Sequence, residues 1–151
     1  MLEYVTGNLL RDKAQGIVIP VNTQGVPGAG LARQWARQYR NQAMTYVLAC
    51  SPRSFHVGHV LSIPFSVHHS TTRFFFCFPT KEHWRFPSRL EYIESGLDAL
   101  VQEVRQHGIE SLSLPALGCG LGGLSWDEVK ERIEQHLGQM DITIRVYLPS
   151  T

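Results

Sequence analysis

Apolar residues recur along the chain at two spacings, and their alternation lays out a series of strands and helices. Leu2 to Thr6 alternates over a short span and predicts an edge strand or first strand. Gly16 to Val21 is a continuous, β-branched run, as expected of a strand buried on both faces. From Leu31 to about Cys50 the spacing is helical, with Leu31, Trp35, Tyr39, Ala43, Val47 and Leu48 on one stripe and Asn41 as the candidate break. Val57 to Phe65 and Arg73 to Phe78 predict two strands, paired as a hairpin across the polar turn His68-His69-Ser70-Thr71-Thr72. Leu90, Ile93, Leu97, Leu100, Val101 and Val104 return to helical spacing, with Ser88 and Glu91 as a capping box and Gly108 as the stop. Ser111 to Leu117 predicts a strand. Ser125 and Glu128 form a second capping box ahead of Trp126, Val129, Ile133 and Leu137, and Thr143 to Leu148 closes the chain as a strand. Strands alternating with helices predict an α/β class, with a mixed sheet between helical layers.

Two glycine-rich turns stand between an apolar strand and a helix. The first runs Thr23-Gln24-Gly25-Val26-Pro27-Gly28-Ala29-Gly30 after the strand that ends at Asn22. The second runs Gly118-Cys119-Gly120-Leu121-Gly122-Gly123 after Leu117. Glycine lets backbone N–H groups converge on an anion, and a following helix N-terminus adds partial positive charge. Neither turn is followed by Gly-Lys-Ser/Thr, and neither has G-x-G-x-x-G spacing, so neither is a P-loop or a dinucleotide fingerprint. Taken singly, each reads equally well as an ordinary strand-to-helix turn. Both fall at the carboxyl ends of strands, where open α/β sheets bind ligands.

At 151 residues, with 43% apolar and 18% charged residues, the chain suits one globular domain and not a disordered segment. A formal net charge of +1 argues against coating nucleic acid through bulk charge, so any such contact is expected to be local and brief. Cys50, Cys77 and Cys119 are odd in number and lack a C-x-x-C, which excludes a disulfide framework or zinc knuckle and points to the reducing cytoplasm. His56, His59, His68, His69, His107 and His136 show no metal-ligand spacing, so no metal is expected. No secretory pattern opens the sequence and no apolar run reaches membrane-spanning length.

Candidate chemistry gathers after the fourth strand. Lys81 follows Phe74-Phe75-Phe76-Cys77-Phe78 so closely that its stem starts near a buried layer, where desolvation would expose a nucleophilic or basic amine. Read alone, a loop lysine is a solvated surface residue. His83 is either a second proton carrier or a residue that orients the loop. Trp84, Phe86, Arg85 and Arg89 set aromatic faces beside cations, a pairing suited to stacking an unpaired base, although one of those aromatics can equally be core. Asn22 reads as a turn-initiating side chain, Trp35 and Trp126 as core, and Cys119 as a packing residue rather than a nucleophile.

Three ordered motifs carry a family resemblance: the turn from Asn22 to Gly30, the second glycine loop with Trp126, and the string Phe78-Pro79-Thr80-Lys81-Glu82-His83-Trp84-Arg85-Phe86-Pro87-Ser88. Together they resemble a macrodomain, and more narrowly the macrodomains of DarG antitoxins, which remove ADP-ribose from thymidine in DNA. The similarity runs from Val5-Thr6-Gly7-Asn8-Leu9-Leu10 through Tyr147-Leu148-Pro149. It implies a three-layer α/β/α fold around a central mixed sheet, a single macrodomain over residues 1–151, and a cleft for ADP-ribose that needs no cofactor and no metal. It implies a ligand site of Asn8, Leu9, Asn22, Gly28, Gly30, Leu31, Thr80, Gly118, Cys119, Gly120, Leu121, Gly122 and Gly123, with Asn22 at the distal ribose. Lys81 and His83 become the catalytic candidates, and Trp84, Arg85 and Arg89 the nucleic-acid contacts.

The similar terminal ADP-ribose protein glycohydrolases pair their lysine with an aspartate where this chain has Gly122, which favours a DNA substrate over a protein one. The expected partners are ADP-ribose, ADP-ribosylated single-stranded DNA and a cognate DNA ADP-ribosyltransferase toxin, with no membrane, and the expected state is a monomer. DarG antitoxins also carry a C-terminal toxin-binding region, on which the present sequence does not bear. Three alternatives compete: an ADP-ribose reader without catalysis, a hydrolase of ADP-ribosyl esters on protein carboxylates, and a phosphatase on ADP-ribose phosphate.

Overall fold

In the computed structural model, which describes residues 2–66 and 71–149, six strands form one sheet in the order β1-β6-β5-β2-β4-β3. The strands are β1 (Leu2–Val5), β2 (Gly16–Asn22), β3 (Leu61–Phe65), β4 (Arg73–Lys81), β5 (Ser111–Pro115) and β6 (Thr143–Tyr147). All neighbours pair in parallel except β3, which pairs antiparallel with β4 at one edge. The predicted hairpin therefore forms, although most of its turn (His68, His69 and Ser70) lies outside the described residues.

Side chains alternate across β4. Phe76 and Phe78 pack into one buried cluster with α3 (Leu90–Gln106) and α4 (Trp126–Leu137), through Ile93, Leu97, Leu100, Val129 and Ile133. Phe75 and Cys77 point the other way, onto α1 (Gly30–Gln38) and α2 (Arg40–Cys50), where Trp35, Tyr46 and Cys50 meet Ile17 and Ile19. A strand covered on both faces has no solvent side to mark with polar residues, which is why it reads as a continuous apolar run. The result is the three-layer α/β/α arrangement expected of the family.

Several local expectations are corrected. The long helix breaks at Tyr39, not Asn41, with Tyr39 at φ −125° and ψ 66°. Leaving the helix lets its ring pack edge-on against Phe75, 4.7 Å between centroids. The break shifts the helical phase, so Ala43, Tyr46 and Cys50 are buried in α2, while Leu48 of the predicted stripe is 63% exposed. Neither capping box forms. Arg89, not Ser88, caps α3, and Ser125 caps α4 without a side-chain bond. β3 begins only at Leu61, and β4 runs on to Lys81. A 3-10 turn at Leu9–Arg11 went unforeseen; the Asn8 carboxamide oxygen caps it, accepting from the Leu10 N–H at 3.0 Å. No helix among the described residues is long and apolar enough to cross a membrane.

Beyond that turn, Asp12 is buried and its carboxylate gathers four donors. Arg145 Nε and Nη2 donate at 2.9 and 2.7 Å, the Tyr147 hydroxyl at 2.7 Å and the Ala14 N–H at 2.8 Å. Burial alone would raise the Asp12 pKa, but the hydrogen bonds from Arg145, Tyr147 and Ala14 outweigh it and hold the carboxyl well below the usual carboxylate range. Burial and the bond to Asp12 push Tyr147 up to about 12. This network ties the segment after β1 to the end of β6.

Removing one partner of a buried pair leaves the other charge uncompensated, so Arg145→Met is expected to lose about 2–3 kcal/mol in urea unfolding, the guanidinium being partly exposed. The folded pKa of Asp12 lies below its unfolded value of about 3.9, so its contribution is complete above that pH. It declines as pH falls towards the folded value, because the unfolded chain then binds the proton that the native state refuses. Stability measured from about pH 5 to pH 2 should fall less steeply for Asp12→Asn than for the wild type.

Candidate functional site

β2 and β5 lie side by side in parallel, yet the chain leaves them in opposite directions, from β2 to α1 on one face and from β5 to α4 on the other. Such a divergence opens a crevice at the carboxyl ends of the strands. Here it is a cleft of about 1020 Å³. Its walls are the turn after β2, the turn after β5, the end of β4 with Trp84, the segment Gly7-Asn8-Leu9, and Tyr147-Leu148-Pro149 beyond β6.

On the first wall Asn22 has the turn-initiating role. Its Oδ1 accepts from the N–H groups of Gln24 and Val26 at 3.0 and 3.3 Å, and its Nδ2 donates to the Val26 carbonyl at 2.9 Å. The buried Tyr46 hydroxyl adds contacts to the Asn22 carbonyl at 2.7 Å and to Oδ1 at 3.0 Å. Asn22 thus lines the cleft while its amide holds the turn in shape. The turn leads to α1, whose N-cap is Ala29 and makes no side-chain cap bond. The N–H groups of the first helical turn, at Gly30, Leu31 and Ala32, therefore line the cleft with the positive end of the helix dipole.

The second wall depends on close packing. A Cβ at Gly122 would fall 2.3 Å from Ser88 Oγ and 2.4 Å from the Gly118 carbonyl oxygen, so no side chain fits there. Gly118 has φ +73°, which favours glycine, and its carbonyl accepts from the Leu124 N–H at 2.9 Å. The Ser88 N–H donates to the Gly122 carbonyl at 3.1 Å and fixes the seat. Among the described residues the N–H groups of Gly120, Leu121 and Gly122 have no acceptor within the protein. Three successive unengaged donors make an anion cradle. Cys119 also lines the cleft, and burial pushes its thiol up to about 11, which keeps it protonated and unreactive.

Between the walls stands Lys81. A register shift between Val21 and Asn22 leaves Thr80 as an extra residue on β4, so that Lys81 rather than Thr80 comes opposite Asn22. The lysine is half-buried, and its Nζ donates to the carbonyls of Trp84 at 3.4 Å and Leu121 at 3.3 Å. It therefore bridges the β4 loop to the second glycine turn, and it is not the fully desolvated amine the apolar strand suggested. Trp84 is 47% exposed at the cleft mouth, with the Arg85 guanidinium 4.6 Å above its ring. Val26, Leu121 and Leu148 extend this exposed apolar rim.

Residues 18–133 match the macro domain family model. The chain belongs to the macro domain family. It is 41% identical over 153 residues to a DNA ADP-ribosyl glycohydrolase of Thermus aquaticus, an alignment covering 99% of this chain and 41% of the relative. It is 36% identical to the protein of that name from Mycobacterium tuberculosis, over 99% of this chain and 43% of the relative. The chain thus spans about two fifths of the length of the curated relatives it matches. Among solved structures, the macrodomain of Mycobacterium tuberculosis DarG superposes with a TM-score of 0.95 at 36% identity, over 99% of each chain. The Thermosipho africanus DarTG complex with ADP-ribose gives 0.86 at 34% identity, over 98% of this chain and 41% of that one.

In this macro domain the cleft brings together Asn8, Leu9, Asn22, Gly28, Gly30, Leu31, Thr80, Lys81, Trp84, and Gly118 through Gly122, all singled out in the sequence. Four of the candidate residues stand outside it. Gly123 closes the turn, its N–H donating to the Gly120 carbonyl at 3.2 Å. His83 is not a wall residue. Its Nδ1 accepts from the Arg85 N–H at 3.1 Å and its ring stacks on Trp84, so of its two expected roles the geometry provides the loop-orienting one. Arg85 covers Trp84, and Arg89 caps α3 beside Glu91 at 3.9 Å.

The lining residues outside the candidate set are Gly7, Pro20, Val21, Val26, Ala29, Ala32, Gln34, Pro115, Ala116, and Tyr147 through Pro149. Only the position of β1 and β6 in the same parallel sheet could have pointed to the last group. If the seat is as described, Gly122→Ala is expected to lose about 1–3 kcal/mol in denaturant unfolding, as overpacking does. Gly120→Ala, where a Cβ meets nothing within 4 Å, should be neutral or slightly stabilising. The reverse order would exclude the seat.

Proposed function

We propose that this macro domain hydrolyses the bond between ADP-ribose and a base of single-stranded DNA, thymidine being the expected nucleotide. Two relatives that align over nearly the whole of this chain carry the name DNA ADP-ribosyl glycohydrolase, and a similar solved structure is described in complex with ADP-ribose. The observation that carries the DNA reading is the Gly122 seat. The aspartate that the similar protein-directed enzymes set beside their lysine would have its Cβ within 2.4 Å of the Gly118 carbonyl oxygen. Ester cleavage by such a pair is sterically closed to this chain.

In this reading the free N–H groups of Gly120, Leu121 and Gly122 and the uncapped start of α1 hold the diphosphate from two sides. Asn22 lies beside the distal ribose, and the base stacks on Trp84 at the mouth with Arg85 close to a phosphate. Hydrolysis transfers the oxygen of water to the anomeric carbon, and the base nitrogen leaves with a proton. Lys81 stands between the walls as the amine that either attacks the ring-opened sugar or carries that proton. The three free cysteines suit a reducing cytoplasm. A cognate DNA ADP-ribosyltransferase would supply the substrate, and the domain would act as a monomer.

The test compares products from ADP-ribosylated single-stranded DNA and from an ADP-ribosylated protein. Release of ADP-ribose from the DNA alone is expected. Lys81→Ala is expected to bind ADP-ribose yet lose roughly 10²–10⁴-fold in turnover. Lys81→Arg should fail too, because a guanidinium sheds no proton near neutral pH. Borohydride leaves a sugar adduct on Lys81 only if an imine forms. Full turnover by Lys81→Ala would return the lysine to a bridging role alone. Absence of any DNA product with wild type would instead leave the ADP-ribose reader as the better account. Trp84→Ala is expected to weaken DNA substrate binding by about 1–3 kcal/mol while leaving free ADP-ribose nearly unaffected.

A further inference from the structure

The charges of this chain are separated in a way that its near-neutral sum conceals. From Lys13 to Lys81 there is no aspartate or glutamate, while eleven of the thirteen acids lie from Glu82 onward. The fold sorts these two stretches to opposite faces of the sheet, with α1 and α2 on one side and α3 and α4 on the other. On the second face Arg132 pairs with Glu94 and Glu131, and His136 lies 3.1 Å from Asp98. On the first face the exposed Arg33, Arg37 and Arg40 have no carboxylate within ion-pairing distance among the described residues. Cations left unpaired on an acid-free face are a local anion-attracting surface whatever the net charge.

Their position relates them to the cleft. Arg33 and Arg37 are four residues apart on α1 and so share a side of the helix, away from the buried Trp35. The first turn of α1 is itself cleft wall, through Gly30, Leu31, Ala32 and Gln34. Arg33 stands about 5 Å and Arg37 about 10 Å along the helix from Gly30, at 1.5 Å per residue. Arg40 follows directly at the start of α2. The stripe thus begins beside the cleft and leads away from it along α1 and into α2.

We propose that Arg33, Arg37 and Arg40 form a phosphate track for the single-stranded DNA that flanks the modified base. Trp84 holds the base at one side of the mouth, and the neighbouring phosphates cross onto α1. The acidic α3–α4 face repels the strand and so fixes the direction in which it leaves. A polyanion is favoured over a folded acidic protein because α1 exposes no large apolar side chain to anchor one, the exposed Met44 and Leu48 lying further along on α2. This inference rests on the DNA reading of the cleft, but it concerns residues outside the cleft lining and can be measured without turnover.

The experiment uses an unmodified single-stranded oligonucleotide, the same oligonucleotide carrying ADP-ribose, and free ADP-ribose. Each is titrated against wild type and the triple variant Arg33→Ala, Arg37→Ala, Arg40→Ala at several salt concentrations. All three positions are exposed, and circular dichroism and an unchanged ADP-ribose affinity confirm that the variant folds. Expected is a loss on the order of tenfold or more for both oligonucleotides at low salt. The slope of log affinity against log salt should become shallower by about 2, since each phosphate contact on a single strand contributes about 0.7. Equal affinity and slope for variant and wild type would overturn the track. So would polyglutamate displacing the oligonucleotide from wild type but not binding the variant, an outcome that would make the stripe a site for acidic protein. If the slope changes but wild type releases no ADP-ribose from DNA, the track stands and the hydrolase reading falls.

Discussion

The site exists because two neighbouring parallel strands send the chain to opposite faces of their sheet. β2 and β5 end side by side, and their successors α1 and α4 cover different layers. No side chain of either helix can fill the gap between the departing turns, so a crevice is forced at that point. Everything else in the cleft follows from which strands end nearby. β4 pairs with the other edge of β2 and delivers Lys81, and β6 pairs with β5 and delivers Tyr147. The buried Asp12 carboxylate, bonded to Arg145 and Tyr147, then fixes the far end against the segment that carries Asn8.

Within that crevice, steric exclusion determines the electrostatics. Gly122 packs so closely on Ser88 and Gly118 that the loop has one shape. In that shape the N–H groups of Gly120 to Gly122 have no acceptor among the described residues, while the Leu121 carbonyl accepts from Lys81. The same turn thus presents donors to a ligand and an acceptor to the amine. At position 122 that packing leaves no room for a carboxylate side chain beside Lys81. The carbonyl oxygens of Trp84 and Leu121 orient the lysine where a lysine–aspartate pair would use a carboxylate. The missing aspartate is therefore a packing property of Ser88 and Gly118 as much as a difference at a single position.

The layers were legible in the sequence because hydrophobic spacing reports burial directly, and the glycine turns were legible as a pair, since the same arrangement follows two strands, although either alone reads as an ordinary strand-to-helix turn. What escaped depended on tertiary contact. Tyr39 ends α1 so that its ring can reach Phe75, a partner more than thirty residues away that no local pattern reveals. Ser88 matches a capping box but is claimed by the glycine turn, which outcompetes the helix for its N–H. The half-exposed state of Lys81 was misjudged for a similar reason. The burial of β4 ends at Thr80, where the extra residue turns the lysine into the cleft rather than into the core. Tyr147 and Leu148 joined the site only through strand order, which a single sequence does not display.

Net charge misled for the opposite reason, since it sums what the fold separates. A value of +1 predicts little attraction to a polyanion if the charges are mixed. Here the sheet lies between the helices of the acid-free stretch and those of the acid-rich one. At physiological salt fields between exposed charges fade over about 8 Å, so each face acts nearly alone on a ligand at its own surface. A strand near the cleft mouth meets the arginines of α1 on one side and the carboxylates of α3 and α4 only at a distance. Separation of this kind contributes both orientation and affinity on contact, while the attraction of one face is largely offset by the other for a ligand far away. A domain so built would hold an unmodified strand through the arginines alone at low salt, and a modified base seated in the cleft would add to that hold.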